Sequence, residues 1–259
     1  MEQSEERKYG RLRLFNAAMG CLHLVQGVAM ILLSNNYKVP LTTSFLEVSS
    51  QEPFGSPVTK TFYDLRIGPL VGVFLLISAV AHFLIASPRI YEWYVRNLKK
   101  KINYVRWYEY AASASVMIVV IAMLCGVFDL PTLLLLFSLN ATMIFFGLMM
   151  ELHNQTTKKT DWTAYIFGCF AGFIPWLVLG IYFFGALLPA ADKVPTFLYF
   201  IFVSLAVFFN IFALNMALQY RAKGRWKNYL FGERFYIILS LVAKSALAWQ
   251  VFAGTLRPM

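Results

Sequence analysis

Seven long apolar runs, separated by short segments that hold most of the charges, constrain the fold of this chain more than any other feature. A helix that crosses the roughly 30 Å hydrocarbon core of a bilayer needs about 20 apolar residues in succession, and each run is about that long. The runs cover residues 14–34, 67–87, 103–127, 131–151, 163–188, 195–219 and 235–255. The sequence therefore predicts an all-α membrane protein, a single bundle of seven transmembrane helices within residues 1–259.

The composition supports a membrane protein and argues against a soluble nucleic-acid-binding domain. Charged residues make up 14% of the chain, whereas soluble domains carry about 25%. The net charge of +10 does not indicate nucleic acid, because the basic residues lie in loops beside the spans, as membrane topology requires. The three cysteines are an odd number and indicate no disulfide framework.

Lysine and arginine are distributed unequally between the two sides of the predicted bundle. The side of the N-terminus carries 17 of them. The opposite side carries five, namely Lys38, Lys60, Arg66, Lys193 and Arg257. This bias predicts a multi-pass protein of the plasma membrane with a cytoplasmic N-terminus and an extracellular C-terminus. The basic cytoplasmic segments at 89–101 and 221–227 are expected to meet anionic membrane lipids.

The longest connection, residues 35–66, follows the first run and lies on the predicted outer side. Residues 58–63 alternate between two faces, and turn residues occur at 53–55. This pattern predicts a small β-hairpin in the first extracellular loop. The hairpin is interpreted either as a lid or dimer contact, or as a passive loop.

Lys244 is a charged residue within the seventh run. It lies ten residues past Arg234, which is about 15 Å of helix and therefore near the middle of the bilayer. A lysine at this depth is costly and indicates a functional residue. A buried amine is a nucleophile that condenses with an aldehyde to form an imine, and a protonated imine in a low dielectric needs a negative partner.

Glu109 in the third run is the strongest candidate for that negative partner. Asp129 and Glu151 are predicted at the ends of spans, where they reach water and need no special role. Glu109 pairs either with the Lys244 imine or only with Arg106, three residues before it on the same helix face. The first interpretation is favoured, with Arg106 closing the polar network toward the cytoplasm.

Polar residues follow the two charged groups at helical spacing. Ser240 lies four residues before Lys244, and Ser113 lies four residues after Glu109. Residues four apart share one face of a helix, so each serine is predicted beside its charged neighbour.

Two histidines fall at a similar depth in the inner half of the bundle. His82 follows Ser78 by four residues, and His23 precedes Gln26 by three. Either each histidine makes only an interhelical hydrogen bond, or the four residues belong to a buried polar network that holds protons near Glu109. The second interpretation is favoured.

Several segments together resemble one family of retinal proteins. The segment 240–250, with Lys244 at its centre, resembles the retinal-binding seventh helix of the heliorhodopsins, and the segment 106–110 resembles their counterion stretch. Other matching residues are Asn140 to Met143, Phe167 to Cys169, Pro175, Trp176, Phe208 to Asn210, His23 and His82. The resemblance covers essentially the whole chain.

The resemblance implies a seven-helix protein with inverted orientation, in agreement with the charge count. It implies that Lys244 carries all-trans retinal as a protonated Schiff base with Glu109 as counterion. It also implies isomerisation to 13-cis by light, a slow photocycle, and a homodimer to which the first outer loop contributes. The residues that it assigns to the retinal pocket are Asn140, Met143, Trp176 and Phe209. Those that it adds to the inner polar network are Asn16, Gln26, Tyr94 and Trp249.

The favoured function is a light receptor that signals through a cytoplasmic protein. The alternative is a light-driven or light-gated proton transporter or channel. A directional pump needs ionisable groups on both sides of the imine, and the outer halves of the runs lack carboxylates. A third interpretation is a light-independent partner or regulator of a membrane enzyme. No nucleophilic triad, metal-ligand spacing or phosphate-binding loop indicates an enzyme or a metal site.

Overall fold

The computed structural model describes residues 2–50, 53–189 and 197–257. Lys193 and the first two residues of the predicted sixth span lie outside them. The helices are α1 (Glu2–Leu33), α2 (Ile67–Ala86), α3 (Pro88–Lys99), α4 (Tyr104–Leu124), α5 (Leu130–His153), α6 (Thr163–Leu187), α7 (Phe197–Tyr220) and α8 (Tyr229–Val251). The strands are β1 (Lys38–Glu47) and β2 (Ser56–Arg66), and α8 continues into a π turn, Phe252–Leu256.

Seven of the described helices, all except α3, are long and apolar enough to cross a membrane. This confirms the predicted seven-helix class. The spans are helical because a helix satisfies its own backbone polar groups, which have no water to bind within a bilayer. Neighbours in sequence pack together, with α1 on α2, α4 on α5, α5 on α6, and α7 on α8.

The described part of the chain has one helix more than the sequence predicted. The sequence predicts only a loop over this segment, but α3 is a helix of 12 residues with Pro88 in its first turn, where proline favours helix initiation. Its buried residues, Tyr94 and Leu98, are four apart and face the bundle, while Arg96 and Lys99 lie in its last turn. Basic residues at that end favour the helix dipole.

The last helix begins six residues earlier than predicted. Its N-cap is Asn228, whose side chain accepts a hydrogen bond from the backbone N–H of Leu230 at 3.0 Å. The apolar run alone predicted a start at residue 235. The helix consequently includes Glu233, which is buried in the bundle.

The predicted hairpin is confirmed. β1 and β2 pair antiparallel, from Lys38 opposite Arg66 to Glu47 opposite Ser56, with an irregularity after Leu41. The backbone N–H of Thr42 donates to the carbonyl of Phe128 at 2.9 Å, which ties the hairpin to the start of α5.

Asp129 caps the N-terminus of α5. Its carboxylate accepts hydrogen bonds from the side chain of Thr132 at 2.7 Å and from its backbone N–H at 3.0 Å. These hydrogen bonds lower the pKa of Asp129 below its ordinary value, against a small opposing effect of burial. Asp129 thus has a local structural role.

The interior of the bundle changes character along its axis. The half remote from the N-terminus is an apolar cluster that includes Met30, Phe74, Ile118 and Leu247. Most buried polar residues lie from mid-bundle toward the side of the N-terminus: Asn16, His23, Ser78, Asn103, Arg106, Ser113, Glu151, Asn215, Glu233, Ser240 and Lys244. The candidate site lies in this polar half, on the side of the N-terminus.

Candidate functional site

Lys244 and Glu109 form an ion pair in the middle of the bundle. Lys244 lies near the centre of the last span, Tyr229–Leu256, and Glu109 lies on α4. The Lys244 Nζ is 3.0 Å from the Glu109 Oε1, and the two side chains are 3% and 7% exposed. Buried ions impose a large desolvation cost, which a pair offsets only with good geometry and further hydrogen bonds.

Three serines provide those further hydrogen bonds. Ser78 on α2 and Ser113 on α4 donate to the Glu109 Oε1 at 2.6 and 2.7 Å. The Lys244 Nζ donates to the Ser240 Oγ at 2.7 Å. Hydrogen bonds to an ionised carboxylate are stronger than neutral ones. Side chains from α2, α4 and α8 therefore hold the Glu109 carboxylate against the amine.

The two predicted histidines stack on each other beside this group. The ring centroids of His23 and His82 are 5.5 Å apart and the planes differ by 13°. The His82 Nδ1 lies 2.8 Å from the Asn16 Oδ1, an interhelical hydrogen bond. His23 is fully buried, and within the described residues neither of its ring nitrogens has a hydrogen-bond partner.

Among the described residues, Arg106 does not form the ion pair with Glu109 that the alternative interpretation required. Its guanidinium forms ion pairs with Glu151 on α5 and Glu233 on α8. Asn103 donates to both carboxylates, through its backbone N–H to Glu151 at 2.9 Å and through its side chain to Glu233 at 2.8 Å. Arg106 thus closes the polar interior on the side of the N-terminus through a second buried charge group.

The prediction that Glu151 reaches water is wrong. Its side chain is 1% exposed, because the first turn of α4 covers it and the Trp107 Nε1 donates to its Oε2 at 2.7 Å. Glu233 is not predicted by the sequence, because the last apolar run begins only at residue 235. The Asn228 cap was the available signal for an earlier start.

A cavity of about 30 Å³ joins the two charge groups. Its lining includes Glu109 from one group and Glu233 from the other, together with Asn16 and Tyr94. One water molecule needs about 10–15 Å³ by this measure, so the space suits about two waters. Burial, reinforced by Glu233, raises the pKa of the Tyr94 hydroxyl, which therefore stays protonated and neutral. Asn16 and Tyr94 lie in the inner network as predicted.

Gln26 and Trp249 lie elsewhere, so their assignment to the inner network is wrong. The Trp249 Nε1 donates to the Gln26 Oε1 at 3.1 Å on an exposed part of the surface. Gln26 is half-buried and Trp249 is exposed, because the rotation of α1 and α8 turns both side chains away from the polar interior.

The four predicted pocket residues come from α5, α6 and α7. Trp176 packs edge-to-face on Phe209 with ring centroids 5.4 Å apart, and both contact the apolar cluster that contains Leu247, three residues after Lys244. The side chain of Asn140 donates to the Ser115 Oγ at 3.0 Å. The side chain of Met143 fills the space beside Gly172, which a Cβ atom there would occupy.

Replacing Arg106 with methionine is expected to destabilise the protein by about 3–5 kcal/mol, because two buried carboxylates would lose their cation. Glu233→Gln is the matched control. This variant leaves Arg106 paired with Glu151 and is expected to lose less stability than Arg106→Met. Thermal unfolding of the purified variants measures both, and an Arg106→Met variant as stable as the parent would contradict this description of the group.

Gly147 on α5 lies against the ring of Trp107, which a Cβ atom would overlap. Gly147→Ala is therefore expected to cost about 1–3 kcal/mol through overpacking. Gly180→Ala on α6 is the control, because nothing lies within 4 Å of its Cβ position and alanine favours a helix over glycine. Equal melting temperatures for the two variants would show that the contact is unimportant.

Comparisons with known proteins agree with this fold. The family model for heliorhodopsins matches residues 12–256, which confirms the resemblance seen in the sequence. The fold is similar to that of a light-driven proton pump from Leptosphaeria maculans, with a TM-score of 0.59 and 13% identity over 93% of this chain and 95% of the other. At this identity the likeness shows the fold alone. A search of curated proteins gave no match.

Proposed function

Because the chain belongs to the heliorhodopsin family, a family of rhodopsins that implies a retinal chromophore, we propose that it is a light receptor with all-trans retinal bound to Lys244. The linkage is a protonated Schiff base, and Glu109 is its counterion. The observation that carries this proposal is the 3.0 Å ion pair of Lys244 and Glu109 at mid-span.

The residues around Lys244 fit such a linkage. A free ammonium has three N–H donors, and Lys244 makes hydrogen bonds to Glu109 and Ser240 within the described residues. A protonated imine nitrogen has one N–H donor, which Glu109 alone satisfies. Trp176 and Phe209 offer an apolar wall on the neighbouring helices, which suits a polyene.

When bound, retinal supplies visible absorption and a light-driven change from all-trans to 13-cis. This chain's residues then handle the proton at the Lys244 nitrogen. Glu109 stabilises that proton in the dark, and Ser78 and Ser113 fix the carboxylate that does so. As the nitrogen moves relative to Glu109, the proton passes to the polar group formed by Glu109, His82 and His23.

The polar interior then links this event to the surface on the side of the N-terminus. The 30 Å³ cavity runs from Glu109 to Glu233, which lies beside Arg106 at the inner ends of α4 and α8. A changed charge at Glu109 alters the field on that second buried group. A slow return gives a long-lived signalling state, read by a cytoplasmic protein at the basic segments 89–101 and 221–227.

The orientation and the dimer are parts of the same proposal. The excess of Lys and Arg on the side of the N-terminus supports its placement in the cytoplasm. The hairpin supports a homodimer contact, because Leu46, Phe54, Phe62 and Tyr63 are large apolar side chains exposed on it. Exposed apolar patches of this kind mark protein interfaces.

Signalling is favoured over pumping by the distribution of ionisable groups. Within the described spans, no carboxylate lies on the outer side of the Lys244–Glu109 pair. Illumination of vesicles that contain the retinal-loaded protein is therefore expected to leave the external pH unchanged, with and without a protonophore. A light-induced pH change that the protonophore abolishes would contradict signalling and establish proton transport.

A further inference from the structure

A groove of about 700 Å³ opens on the lipid-facing surface between α2, α3 and α4. Val80 and Leu84 line it on α2, and Tyr108 and Ala112 line it on α4. Val80, Leu84 and Tyr108 are exposed large side chains within spans, so the groove faces the bilayer. Glu109 lines this groove as well as the internal polar cavity, so it lies between the two.

The length of the groove suits one acyl chain. On α2 its lining extends from Ile77 to Leu84, which is about 10 Å of helix. One leaflet of the hydrocarbon core is about 15 Å thick. The groove thus covers most of the depth of a single leaflet, the leaflet on the side of the N-terminus.

The end of the groove at α3 has the features of a headgroup site. Trp93 and Asn97 line it there, and tryptophan prefers the level of lipid headgroups. Arg96 directly precedes Asn97, Lys100 and Lys101 follow it by three and four residues, and all three are exposed. In the described part of the chain, none of these three basic side chains forms an ion pair.

The charge around this end of the groove is strongly positive. Residues 88–101 contain five basic residues and a single acidic one, Glu92. Basic segments at the membrane surface attract anionic headgroups. The groove thus combines an apolar slot of leaflet depth with a cationic rim, which is the chemistry that recognises an anionic phospholipid.

We propose that this groove binds one anionic phospholipid. Its phosphate lies against Arg96 and Lys100, and one acyl chain packs between α2 and α4 down to Glu109. The bound chain covers the lipid-facing side of Glu109 and keeps water from reaching the buried ion pair along the groove. The site depends on the groove and its rim, and is present whether or not Lys244 carries retinal.

Quenching of Trp93 fluorescence by brominated acyl chains tests this site directly. The full-length protein is placed in phosphatidylcholine nanodiscs that contain a small fraction of either brominated phosphatidylglycerol or brominated phosphatidylcholine. A Trp93→Phe variant isolates the contribution of Trp93. Quenching per mole fraction is expected to be about five-fold greater for the anionic lipid, the factor that one nearby Lys or Arg supplies. The readout needs no visible chromophore, so it stands apart from the test of light reception.

Two pairs of variants separate specific binding from ordinary boundary lipid. Ala112→Phe fills the groove and is expected to abolish the preference, whereas Ala18→Phe, on an exposed position of α1 outside the groove, keeps it. The double variant Arg96→Gln and Lys100→Gln is likewise expected to lose it. The matched double variant, Lys223→Gln and Arg225→Gln, is expected to keep the preference for the anionic lipid.

Equal quenching of the parent by the two lipids would overturn the proposal and show boundary lipid only. A preference that survives filling of the groove would overturn it as well. If Ala112→Phe fails to fold, the two double charge variants still test the proposal. The same preference for the anionic lipid in both of them would reject the headgroup site.

Discussion

Replacement of Lys244 by alanine is expected to abolish visible absorbance completely after addition of all-trans retinal. Within the described spans, no other lysine or arginine lies near mid-bilayer beside a buried carboxylate. The aldehyde of retinal therefore has no second buried amine there with which to form an imine. The variant also leaves Glu109 buried without a cation, which is expected to cost about 3–5 kcal/mol of stability. Absorption spectra and thermal unfolding measure the two effects.

A second variant separates loss of the linkage from loss of the fold. Lys244→Ala combined with Glu109→Gln removes both charges and is expected to recover stability while remaining colourless. Lys60→Ala, on the exposed hairpin, is the matched lysine control and is expected to keep full colour. Visible absorbance in a folded Lys244→Ala variant would refute the assignment.

Replacement of Glu109 by glutamine is expected to change the colour of the protein. The anion beside the protonated nitrogen stabilises the positive charge of the ground state, so its removal shifts the visible band to the red or deprotonates the imine. Deprotonation replaces the visible band with near-ultraviolet absorbance. A pH titration followed by absorption distinguishes these forms, and the variant is expected to lose its visible band at lower pH than the parent.

Glu47→Gln is the control for this change, because Glu47 lies on the exposed hairpin and pairs with Lys60. Its spectrum is expected to match that of the parent. Glu233→Gln is a more demanding control, because Glu233 is buried but separated from Lys244 by the polar cavity. A Glu109→Gln spectrum identical to the parent's would place the counterion elsewhere.

The sequence predicted the seven spans because length and apolarity are sufficient to identify a helix in a membrane. It did not predict α3, whose polar and apolar residues alternate at helical spacing over only 12 residues. Such a short helix depends on contacts from other parts of the chain. Tyr94 and Leu98 pack against Leu12, Ile85 and Ile237, and no local pattern predicts that packing.

The centre of the site was also predictable, because an amine and a carboxylate at mid-span have few partners available. Lys244, Glu109 and their neighbouring serines follow from depth and helical spacing. The second charge group was not predictable in this way. Glu151 and Glu233 lie near the ends of spans, where a sequence cannot distinguish a carboxylate in water from one enclosed by Arg106 and Asn103.

The sequence determines the depth of a residue in the bilayer better than the direction in which its side chain points. Gln26 and Trp249 occupy plausible depths for the inner network, yet the two side chains pair with each other at the surface. Which way a side chain points depends on the rotation of its helix, and that rotation is set by packing between helices.

Mass spectrometry after borohydride reduction tests the covalent claim most directly. Reduction of the C=N bond in the dark would fix the retinyl group on the amine that carries it, and peptide mapping would locate that amine. A single retinyl adduct is expected, on the peptide that contains Lys244. An adduct on any other lysine, or an unmodified Lys244 peptide from a coloured preparation, would contradict it.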